Sequence, residues 1–69
     1  MRTGVVVDFD EQVGLGTIED GDGARWGFHC TRITDGTRTI DPGTTVVFIV
    51  GPGGPGRWEA VEVLKAPQP

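Results

Sequence analysis

Apolar residues fall in short bursts along the chain, and no window carries a helical period. Val5-Val6-Val7-Asp8-Phe9 is a β-branched run that meets the polar turn Asp10-Glu11-Gln12. Val13 to Glu19 alternates, with Val13, Leu15 and Thr17 on one face and Gly14, Gly16 and Ile18 nearer the other. Asp20-Gly21-Asp22-Gly23 is a doubled Asp-Gly hairpin signal. Arg25 to Cys30 reads as a third strand, Thr45 to Val50 as a fourth and Trp58 to Leu64 as a fifth.

The connections carry equally plain signals. Thr31 to Gly43 is a long link holding the turn signals Asp35-Gly36 and Asp41-Pro42-Gly43. Gly51-Pro52-Gly53-Gly54-Pro55-Gly56 has no side chain larger than proline and is expected to be loop. Residues 65–69 are expected to be a frayed tail behind a single domain over 1–64. Five short antiparallel strands in so small a domain are expected to close, or nearly close, into a barrel. Closure removes exposed strand edges.

Composition narrows the picture. Such a chain of 69 residues buries only about 60% of its unfolded surface. Cys30 is the single cysteine, so no disulfide forms within the chain. A lone thiol and no signal-like segment lead us to expect a reducing cytoplasm. The longest apolar run, Val46 to Val50, is too short for a bilayer, and no membrane role is expected. The formal charge is -4, which weighs against nucleic acid as a partner unless a local basic patch exists.

At this point the residues resemble the bacterial cold-shock proteins, over nearly the whole chain. Gly4-Val5-Val6 resembles their G-T-V opening, and Phe9 sits where a W-F-N segment has phenylalanine. Gly14-Leu15-Gly16-Thr17-Ile18 is similar to the first ribonucleoprotein motif, K-G-F-G-F-I. Trp26-Gly27-Phe28-His29 is similar to the second, V-F-V-H. Thr31-Arg32-Ile33 resembles S-A-I, Gly43 to Phe48 resembles G-Q-x-V-x-F, and Ala60 with Val63 resembles the closing A-x-N-V. The resemblance implies an all-β, five-stranded antiparallel barrel of the OB-fold type.

It also implies single-stranded RNA or DNA as partner, bound on outward aromatics of strands one to three. That platform is largely stripped. The family tryptophan is Asp8 here, its asparagine is Asp10, its motif lysine is Val13 and its first-strand lysine is Val7. Leu15, Thr17 and Gly27 stand where phenylalanines are expected, while Phe9 and His29 are kept. Stacking contributes roughly 1–3 kcal/mol per base, so losing about four platforms removes at least ~4 kcal/mol, or about three orders of magnitude in affinity. Binding is expected to be weak and indifferent to sequence.

The candidate contact residues are Phe9, Leu15, Thr17, Arg25, Trp26, His29, Arg57 and Trp58. Phe9 and His29 would stack, and Arg25 and Arg57 would lie near phosphates. Trp26 shares its parity with Phe28 and belongs in the core, unless a local bulge turns it outward to replace the aromatic absent at Gly27. Trp58 either offers a stacking surface beside Arg57 at the barrel rim or caps the barrel end.

No catalytic or metal role is expected. His29 and Cys30, as neighbours on a strand, should diverge, and a zinc site needs three or four convergent ligands. Gly14 to Gly16 lacks the Gly-Lys-Ser/Thr of a phosphate loop. No cofactor is expected. The second reading is a protein-interaction or regulatory module, or a homodimer, using Val7, Val13 and Leu15 as an apolar patch. An outer face that is aromatic and basic favours nucleic acid. One that is aliphatic and acidic favours a protein partner.

Overall fold

The bursts pair into one antiparallel sheet, seen in a computed structural model that describes residues 1–66. β1 spans Arg2–Asp10, β2 Leu15–Asp20, β3 Arg25–His29, β4 Thr45–Gly54 and β5 Arg57–Lys65. Their hydrogen-bonded order is β3-β2-β1-β4-β5. β1 therefore pairs with both β2 and β4, and the outermost strands β3 and β5 curl towards each other. Their edges form no ladder. Ile33 instead makes a single parallel bridge to Val63, and the Thr34 N–H donates to the Val63 carbonyl at 2.9 Å. The result is the expected OB-type barrel, left partly open.

A break in alternation inside β1 decides which side chains face in. Gly4 and Val6 point to the core opposite Asp20 and Ile18. Strict period two would then send Asp8 inward. The register shifts between Val6 and Asp8, with Val7 as the extra residue, so Asp8 pairs with Thr17 and Phe9 with Gly16. A bulge of this kind re-aims every following side chain. Asp8 is thereby kept in water, and Phe9 turns to the core side.

The core gathers Val6, Ile18, Phe28, Val46, Phe48 and Val63 from all five strands. Ile33 and Ile40, both buried, plug it from the long link. That link opens with one turn of 3-10 helix, Cys30–Arg32. The Cα radius of gyration is 10.9 Å, against about 11 Å for a compact domain of this length. Among the described residues no helix is long and apolar enough to cross a membrane.

Several boundaries differ from the sequence reading, each for a local reason. β1 begins at Arg2, because Arg2 to Val5 pair with Phe48 to Thr45. β2 begins at Leu15, since Val13 lies in a turn closed by Gly14 (φ 72°), whose N–H donates to the Asp10 carbonyl at 2.8 Å. β3 ends at His29, and Cys30 belongs to the 3-10 turn. Gly51 to Gly54 is strand, not loop. Pro52 pairs with Trp58 and Gly54 with Arg57, leaving only Pro55-Gly56 as the turn. Two devices permit this: a bulge at Gly53, where a Cβ would strike the Glu59 side chain, and a left-handed Gly56 (φ 70°).

The expected tail is partly structured as well. Lys65 pairs with Val46, and its ammonium lies 3.2 Å from Asp35 and donates to Thr37 at 3.0 Å. Ala66 N–H donates to the Thr45 carbonyl at 3.0 Å. The rest of that tail, 67–69, lies outside the described residues.

Gly4 shows how little slack the barrel has. A Cβ there would meet the Glu19 carbonyl at 2.6 Å and the Ile18 side chain at 2.8 Å. Backbone cannot yield as a side-chain tip can. Gly4→Ala is expected to destabilise the fold by about 1–3 kcal/mol, read as a lower urea midpoint with unchanged slope. A midpoint equal to that of the parent chain contradicts this packing.

Candidate nucleic-acid interface

The outer wall of β1, β2 and β3 can be read row by row from its register. Asp10 pairs with Leu15, which pairs with His29; Asp8 pairs with Thr17, which pairs with Gly27; Val5 pairs with Glu19, which pairs with Arg25. Paired residues share a face. The wall is therefore aliphatic and carboxylate, with one imidazole and one guanidinium. Leu15 is 53% exposed, Thr17 is half-buried and His29 is exposed.

Both basic groups already have partners close by in the chain. The Arg25 guanidinium is engaged by Glu19, with Nε donating at 3.1 Å and a second nitrogen 3.1 Å from the same oxygen. The His29 Nδ1 accepts the Thr31 N–H at 3.2 Å and lies 2.8 Å from the Thr31 hydroxyl. His29 and Cys30 do not diverge as a strand would require. The 3-10 turn brings the Cys30 sulfur to 3.9 Å from His29 Nδ1. Among the described residues no group of three His, Cys, Asp or Glu could hold a metal ion.

Phe9 does not stand free on the wall. The Val7 bulge turns it onto Phe28, ring centroids 6.0 Å apart and planes at 14°. The two rings fill the space left by Gly16, where a Cβ would lie 2.5 Å from Phe28 and 2.9 Å from Phe9.

The tryptophans lie elsewhere. β2 and β3 pair without a register shift, so no bulge turns Trp26 outward. Trp26 is half-buried on the core side at the barrel end opposite the Phe9 rim. Trp58 shares the inward parity of Ala60 and Val50, but stands beyond the barrel on the β4–β5 hairpin and is 65% exposed. Both indoles line one open cleft of about 490 Å³ with Arg2, Phe48 and Val50. Arg57 precedes Trp58 and is exposed, without lining that cleft.

Asp20 lies behind this cleft and holds two of its lining residues, Trp26 and Arg2. Its side chain is only 5% exposed, accepts three hydrogen bonds and makes one ion pair. Trp26 Nε1–H donates to Oδ2 at 2.9 Å, and the backbone N–H groups of Asp22 and Ala24 donate to Oδ1 at 2.9 and 3.1 Å. An Arg2 nitrogen lies 3.6 Å from Oδ2, and the Arg2 guanidinium covers the Trp26 ring at 5.0 Å. Hydrogen bonding to the charged form favours it. The Trp26 indole, aided by the two backbone donors and Arg2, holds the Asp20 carboxyl below its ordinary 3.8 against the opposing pull of burial.

The sequence reading thus splits in two. Leu15, Thr17, Arg25 and His29 share the outer wall, Trp26 and Trp58 share the cleft, and Phe9 joins neither. Arg2 and Asp20 were missed. Asp20 looked like turn chemistry alone, although its even parity with Ile18 marks it as inward-facing. No protein-family model matches the chain, and no curated protein sequence matches it.

Asp20 has a measurable signature. Its folded pKa is lowered, so its contribution to stability is fully present above the unfolded value of 3.8 and is lost as pH falls through the lower folded value. Asp20→Asn is expected to flatten stability against pH in that acid range, with the Trp26 emission changing as the hydrogen bond weakens. Parallel acid profiles for the two proteins contradict the assignment.

Proposed function

We propose that this protein is a small single-stranded nucleic-acid binding module, not an enzyme, which holds bases weakly and with little sequence preference at its barrel end. The observation that carries this reading is the pair of indoles lining one cleft beside Arg2. Aromatic faces bind any base, because every base has a π surface. The floor of Phe48 and Val50 is apolar, and Arg2 keeps most of its donors free for a phosphate. The Trp26 N–H is engaged by Asp20 and cannot read a base edge.

The OB-type fold and the resemblance to cold-shock proteins support the ligand class, while the contact surface differs from the one the resemblance implies. With its aliphatic and acidic surface, the outer wall of β1 to β3 is a poor platform for an anion. Arg2 covers the Trp26 ring and leaves Trp58 the free stacking face, so one stacked base contributes roughly 1–3 kcal/mol and Arg2 adds a phosphate contact. The net charge of -4 keeps the affinity low.

Titration with an eight-residue oligothymidylate to about 1 mM at low salt, followed by the indole N–H resonances, tests this. Both indole signals are expected to shift, and Trp58→Ala to weaken binding by about fivefold or more, consistent with one lost stacking contact. Arg2→Gln is expected to reduce the salt slope by roughly 0.7, the value for one phosphate on a single strand. Unmoved indole signals, or shifts centred on Leu15 and Thr17, overturn the proposal.

A further inference from the structure

The outer wall is an unpartnered sheet face on the same small barrel, and its chemistry differs from that of the cleft. Val13 is 58% exposed and Leu15 53%, two residues apart in sequence where β1 turns into β2. Asp10 pairs with Leu15, Asp8 with the neighbouring Thr17, and Glu11 follows in the turn, all three exposed. Among the described residues none of these three carboxylates makes an ion pair. The Val7 bulge keeps Asp8 on this face, and Val13 stands in the turn that Gly14 closes. The remaining acid of the wall, Glu19, is already matched by Arg25.

We infer that this face docks a protein partner that presents lysine or arginine around a protruding apolar side chain. Charge complementarity selects that occupant over the others. A single strand would bring phosphates against three unmatched carboxylates. A second copy in a two-fold contact would set the same patch against itself, like charge to like. A basic partner gains attraction at the rim while Val13 and Leu15 supply the apolar contact, the usual division between rim and centre. This inference does not depend on the cleft binding nucleic acid.

The test uses the full chain and a nine-residue peptide of alternating lysine and leucine, with a glutamate–leucine peptide as control. Backbone amide shifts are expected to centre on Asp8 to Leu15 and His29, to appear only with the lysine peptide, and to weaken with salt. The combined variant Asp8→Asn, Asp10→Asn, Glu11→Gln, its fold checked by circular dichroism, is expected to lose about tenfold in affinity, three exposed charges each contributing modestly. Trp58→Ala is expected to change nothing here, which separates this face from the cleft. Absence of binding to 1 mM peptide overturns the inference. So do shifts centred on Asp35, Asp41 or Glu62, an unaffected triple variant, shifts that follow protein concentration alone as in self-association, or wall shifts with the oligothymidylate instead of the peptide.

Discussion

A carboxylate taken out of water must be met by donors, and the way Asp20 meets that demand organises one whole end of the barrel. Its two oxygens collect the N–H groups that shape the β2–β3 turn, the indole of β3 and the guanidinium at the start of β1. Each contact alone is modest, because folding exchanges water for protein partners. Together they join three strands at a point where the apolar core has run out. The same contacts set the pose of Trp26 and lay Arg2 across its face. Turn, rim and cleft wall are therefore one polar assembly around one side chain.

Much of the architecture was legible because the chain punctuates itself. Asp-Gly and Asp-Pro-Gly signals flank β-branched bursts, and five strands in OB order follow with their approximate centres in place. What escaped the reading was context-dependent. Gly51 to Gly54 has the composition of a loop, yet a two-residue Pro-Gly turn and a bulge at Gly53 allow it to pair. Phe9 is the sharper case. Period two cannot place it unless the extra residue at Val7 is known, and the only hint is that an unbulged strand would bury Asp8.

The candidate site was legible in its residue types and less so in their grouping. Trp26 and Trp58 stood out as aromatics, but their meeting in one cleft depends on β3 and β5 curling together across the open side of the barrel. Asp20 offered only the weak signal of inward parity at the end of β2. The outer wall was better forecast, since Asp8, Leu15, Thr17 and Gly27 carry no aromatic ring and the register places them on one face. The barrel thus separates two kinds of surface: π faces with a cation at its mouth, carboxylates and aliphatics along its wall.

The pairing of β1 with β4 stops at Phe48, so the hairpin from Val50 onwards is hydrogen-bonded only to itself. A two-stranded ribbon is marginally stable alone, and such segments open locally without the rest of a domain. Of the two indoles lining the cleft, one therefore sits on a strand paired within the barrel and the other on a ribbon held by its own pairing. The width of the gap between them is set by the pose of that ribbon and not by the barrel's own ladder.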